Sequence, residues 1–97
     1  MTTYTDGEYT ATGEYAKGKN SIIVALSLKN DSIAFVAVTP MATNKTSLGL
    51  QKKFAIAISD EVVGRSINDV HLDRLAGSSL TTQGFNDAIE KIKSQAS

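Results

Sequence analysis

A chain of 97 residues suits one domain, residues 1–97, and leaves no material for two cores. Ten basic residues balance ten acidic ones without a charge run, which argues against nucleic acid, since phosphate binding needs an excess of Lys and Arg. The absence of Cys removes disulfides, thiolate zinc sites and a Cys nucleophile together.

From Glu8 to Tyr15 the residues alternate, with Tyr9, Ala11, Gly13 and Tyr15 on one side and Glu8, Thr10, Thr12 and Glu14 on the other. This period of two predicts a half-buried strand. Ala16 to Asn20 is polar and holds Gly18, so it reads as a loop. Gly13 to Gly18 lacks the Lys-Ser/Thr ending of a P-loop, and the early glycines read as turn residues. Ser21 to Leu28 is a second strand with Ile22, Val24, Leu26 and Leu28 on its apolar face. Lys29-Asn30-Asp31-Ser32 fits a tight hairpin, because Asn and Asp tolerate the positive φ that such a turn requires. Ile33 to Val38 is the third strand, ended by Pro40, which cannot donate to a ladder.

Met41 to Ser47 is a polar connection with Asn44, Thr46 and Ser47 as candidate N-caps. Leu48 to Ser59 predicts a helix with Leu50, Phe54, Ala57 and Ile58 on one face, and Gly64 as a stop beyond it. A short strand is expected around Val70 to Leu72. Phe85, Ala88, Ile89 and Ile92 recur at i, i+3, i+4 and i+7 and predict a closing amphipathic helix, with Thr81 or Thr82 as its N-cap. Asp87 and Lys91 stand four apart in the favourable order for an ion pair. The expected fold class is α+β, an antiparallel meander packed against two helices, the second of them C-terminal. No segment is long and apolar enough to span a bilayer, and Met1-Thr2-Thr3 lacks the basic start and apolar run of a secretory signal.

The stretch before the last helix carries the most chemistry. Gly77-Ser78-Ser79-Leu80-Thr81-Thr82 holds four hydroxyls and a glycine in six residues. A helix start offers unpaired N–H groups and the positive end of the helix dipole, so an anion such as a phosphate is well served there. Taken alone, the pattern favours a helix start that is merely capped by Ser and Thr. His71, Asp73 and Ser79 could be read as a hydrolase triad, the last-ranked of the readings because no nucleophile elbow surrounds Ser79. A single His without Cys or clustered carboxylates does not make a metal site.

In order and spacing, nearly the whole chain resembles the flavin mononucleotide (FMN)-binding domain. That domain occurs in flavin-bearing subunits of bacterial sodium-pumping and related redox complexes, and in small exported flavoproteins. Tyr4-Thr5-Asp6-Gly7-Glu8-Tyr9 matches the family's opening Tyr/Asp-Gly-x-Tyr segment. Asp73-Arg74-Leu75-Ala76-Gly77-Ser78-Ser79-Leu80-Thr81 matches its closing Asp-x-x-Ser-Gly-Ala-Thr-x-Thr/Ser motif. The resemblance implies an electron-transfer module that binds FMN through Gly77, Ser78, Ser79, Leu80, Thr81 and Thr82. The flavin would be linked by a phosphoester at Ser79, installed by a flavin transferase, or held there noncovalently. It also implies a redox partner protein, an extracytoplasmic location, and aromatic cover for the flavin ring drawn from Tyr9, Tyr15, Phe35 and Phe54. Ser79 stands where the family has its acceptor Thr, Ser78 where it has Ala, and Ala76 where it has Ser. Those departures keep open a cofactor-free interaction or structural domain of the same fold.

Overall fold

The computed structural model describes residues 4–15, 20–41, 45–70 and 80–96. Strands β1 (Gly7–Tyr15), β2 (Asn20–Lys29) and β3 (Ser32–Pro40) form an antiparallel sheet in the order β1-β2-β3. Helix α1 (Lys45–Val62), a 3₁₀ turn at Ile67–Asp69 and helix α2 (Leu80–Ala96) follow. The arrangement is α+β, as the residue pattern predicts.

The central strand sets the layers. Ile22, Val24, Leu26 and Leu28 are all buried, while Ser21, Ile23, Ala25 and Ser27 are half-buried on the other face. An antiparallel sheet can leave one face to water in this way. Both helices cover the inner face, α2 along β1 and β2, α1 along β3. They meet where the Phe54 and Phe85 rings pack with centroids 5.6 Å apart and planes tilted by 54°. Each of these fully buried rings contributes about 2–3 kcal/mol by leaving water.

The hairpin between β2 and β3 turns through Asn30 and Asp31, with φ of 52° and 65°. Two consecutive positive φ values are what a two-residue hairpin of the right-handed twist demands. One irregularity interrupts the second ladder: Leu28 pairs with Ile33 but Ser27 pairs with Phe35, so Ala34 is an extra residue in β3. The bulge lets Ile33, Val36 and Val38 all point into the core while Phe35 stays 56% exposed on the open face.

Several boundaries differ from expectation. Helix α1 extends three residues further at each end than the periodicity predicts. Thr46 and Ser47 therefore lie inside it rather than capping it, and Asn44 lies outside the described residues. The extension buries Val62, which continues the stripe of Phe54 and Ile58. Gly64 follows the helix at φ 92° and its N–H reaches the Ile33 carbonyl at 2.8 Å, as a stop residue should. Val70 is extended but stands outside the sheet, while His71 and Leu72 lie outside the described residues. Before this point Ser66 makes a single bridge to Ser32 and caps the 3₁₀ turn. Gly13 lies within β1, not in a turn, because α2 approaches that point too closely for any side chain.

Candidate functional site

Helix α2 positions the candidate site, and three kinds of contact fix where it begins. The first is core packing: Phe85, Ala88, Ile89 and Ile92 are all buried, as their spacing predicts. The second is a close approach. A Cβ built on Gly13 would fall on the Gly84 carbonyl group, and one on Gly84 would come within 2.6 Å of Tyr15 Cδ1. The absence of two side chains thus lets the second turn of α2 rest directly on the end of β1.

The third is a polar rail. β1 is an edge strand, so its outward N–H and C=O groups need partners. Residues at i, i+4 and i+8 on α2 supply them. Asp87 Oδ2 accepts from the Glu14 N–H at 2.9 Å, Lys91 Nζ donates to the Thr12 carbonyl at 2.7 Å, and Gln95 Nε2 donates to the Thr10 carbonyl at 3.0 Å. Asp87 and Lys91 also pair with each other at 3.0 Å, the ion pair their spacing predicts. Burial pushes the Asp87 carboxyl up, but the Glu14 N–H and the Lys91 ammonium outweigh it and hold its pKa below 3.8. The helix therefore runs antiparallel to β1, with Gly84 beside Tyr15 and Ala96 beside Thr5.

The expected phosphate residues divide between described and undescribed parts of the chain. Gly77, Ser78 and Ser79 lie outside the described residues, as do His71 and Asp73. Leu80 is the first residue of α2. Thr81 and Thr82 sit inside the first turn, 1% and 0% exposed, so neither is the N-cap. That turn, Leu80-Thr81-Thr82-Gln83, carries no carboxylate.

The four candidate ring-covering aromatics do not share one place: Tyr9 and Phe35 line one depression on the sheet, and Phe54 and Tyr15 lie elsewhere. Phe54 is fully buried against Phe85 and belongs to the core. Tyr9 is half-buried, and its hydroxyl donates to the Thr5 carbonyl at 2.6 Å, away from the start of α2. Phe35 lines a depression of about 140 Å³ on the sheet, together with Glu8, Tyr9, Thr10, Ala25, Leu26 and Ser27. Tyr15 lies over Gly84, the residue before the Phe85 against which Phe54 packs.

The opening segment Tyr4 to Tyr9 lies at the opposite pole. The Tyr4 N–H donates to Asp31 Oδ1 at 2.7 Å and its hydroxyl to Asn68 Oδ1 at 3.0 Å. Asp6 Oδ1 accepts from the Asn30 N–H at 2.9 Å, and the Thr5 N–H reaches the Ala96 carbonyl at 2.9 Å. The segment clasps the hairpin turn to the 3₁₀ turn and the end of α2.

One residue near the start of α2 stands out that sequence reasoning passed over. Gln51 is fully buried in the apolar stripe of α1, one turn before Phe54. Its Oε1 accepts from the Met41 N–H at 2.8 Å, while its Nε2 donates to the Tyr15 hydroxyl at 2.7 Å and the Ser21 carbonyl at 3.0 Å. An amide at i, i+3 and i+7 spacing with Phe54 and Ile58 was the available signal.

Among the described residues no group of His, Cys, Asp or Glu could hold a metal ion, and no helix is long and apolar enough to cross a membrane. Compared with protein-family models, curated proteins and solved structures, the chain finds no match.

Proposed function

We propose that the chain is an FMN-binding electron-transfer module whose flavin phosphate is held where α2 begins, at Gly77, Ser78, Ser79, Leu80, Thr81 and Thr82. One observation carries the reading: a 17-residue amphipathic helix starts at Leu80, immediately after Gly77-Ser78-Ser79, with a first turn free of carboxylates. Its donor set suits a phosphate, since amides at a helix start complement an anion without a dedicated basic cluster. Because Thr81 and Thr82 are buried as whole residues, in this reading they support the helix start, and the hydroxyl for the phosphate is that of Ser78 or Ser79. When bound, FMN supplies the redox chemistry, and the chain supplies binding and orientation. In this reading the electrons pass to a partner redox protein on the outer side of a cell membrane.

The test is an absorbance spectrum and an intact mass, on protein made with and without a flavin transferase. Flavin absorbance in the purified protein, or on titration with FMN, is the expected result. A mass increased by one FMN that survives denaturation identifies the covalent form, and Ser79→Ala abolishes it. Colourless protein that ignores added FMN under both conditions removes the proposal in favour of a cofactor-free domain of the same fold.

A further inference from the structure

The pole of the molecule at which α2 begins is also where β1 ends, β2 starts, β3 leaves the sheet at Pro40, and α1 lays down its first turns. One side chain ties these together. Gln51, on α1, bonds the chain just past β3 through the Met41 N–H, the start of β2 through the Ser21 carbonyl, and the end of β1 through the Tyr15 hydroxyl. The Tyr15 ring in turn lies over Gly84, in the second turn of α2. A buried amide is unfavourable unless its hydrogen-bonding groups are partnered, and an apolar side chain would fill the same place in the stripe without that requirement. The amide therefore does more than fill space: it fixes the height and tilt of the Tyr15 ring against which α2 is seated.

We propose that Gln51 is a positioning residue for the start of α2, acting through Tyr15 and Gly84 to order its first turns. Its consequence for a ligand rests on the FMN reading above, while the ordering of α2 does not. The chain of contact runs from the Gln51 amide to the Tyr15 hydroxyl, through the ring to Gly84, and so to the amides that begin at Leu80. A helix start serves an anion only when its N–H groups are held in one direction, and the ends of helices fray unless something holds them.

The experiment compares the full chain with its Gln51→Leu and Tyr15→Phe variants. Tyr15→Phe keeps the ring and removes only the hydroxyl, so it remains informative if Gln51→Leu folds poorly. Tyr4→Phe, which removes a hydroxyl bonded to Asn68 at the far pole, is the control for a general loss of stability. Amide hydrogen exchange is read along α2, and FMN affinity by titration. Gln51→Leu and, to a smaller extent, Tyr15→Phe accelerate exchange from Gly84 to Asn86 at least tenfold, while Ile89 to Ala96 keep wild-type protection. Both weaken FMN binding, Gln51→Leu by tenfold or more, and Tyr4→Phe does neither. Exchange that is unchanged at the start of α2, or that quickens evenly along the whole helix, overturns the positioning role. Wild-type protein that takes up no FMN overturns the ligand assignment instead, and the exchange profile still decides what Gln51 orders.

Discussion

Two glycines of the chain show how one residue type serves opposite ends. At Gly13 a methyl group would collide with the Gly84 carbonyl, a backbone atom that moves only if α2 moves. Overfilling a tight contact of this kind costs about 1–3 kcal/mol. At Gly49, inside α1, a Cβ would meet nothing within 4 Å. There the glycine only adds backbone freedom to the unfolded chain, a cost of about 0.5–1 kcal/mol relative to Ala. Gly13→Ala therefore lowers the urea midpoint and Gly49→Ala raises it, each with the slope of the transition unchanged. Equal shifts of the same sign would mean that α2 does not rest on β1 as described.

Helix α2 and strand β1 are joined by a rail whose charge is pH-sensitive. The Asp87 pKa is depressed in the folded chain, so the carboxylate adds stability at pH values above its unfolded pKa. That stability is lost as the pH falls through the lower, folded value. Asp87 and Lys91 are both more than a third exposed, and screening limits the contribution to under about 1 kcal/mol. Asp87→Asn is accordingly less stable than wild type at neutral pH, and the difference in melting temperature closes as acid protonates the wild-type carboxyl. A gap that persists unchanged in acid would assign the effect to packing rather than charge. The elements themselves were largely legible in the sequence, for identifiable reasons. The alternation through β2 and the Asn30-Asp31 turn locate the β2–β3 hairpin, and the spacing of Phe85, Ala88, Ile89 and Ile92 locates α2. The bulge at Ala34 was not legible, because Ile33 to Val38 is apolar throughout and a period of two cannot be seen in a uniform run. The role of Gln51 was hidden for a different reason: Tyr15, Ser21 and Met41 lie 36, 30 and 10 residues away, and only the folded sheet brings them together. The expected site was legible only as a helix start with hydroxyls before it, which spacing alone cannot tell from an ordinary cap.

Across its 39 × 24 × 20 Å the molecule places both described helices on one face of the sheet, and among the described residues no element covers the other. Side chains of the same type consequently differ in weight according to layer. Phe54 sits between the helices at the centre of the core, and Phe54→Ala removes about 3–5 kcal/mol. Phe35 stands on the open face beside Ser27, and Phe35→Ala changes stability by no more than about 0.5 kcal/mol. Paired denaturation curves for the two variants check this. A loss at Phe35 comparable to that at Phe54 would show that the outer face is covered in solution.

The bond between the Thr5 N–H and the Ala96 carbonyl brings the two ends of the described chain to one pole. The start of α2 lies about 24 Å away, the length of the helix between them. A polypeptide fused before Tyr4 or after Ala96 would emerge on the side remote from Leu80 and leave the approach to it unobstructed. A linker of a few residues would be enough to join the ends, so a permuted chain opened elsewhere could keep the same sheet, the same helices and the same seat for α2.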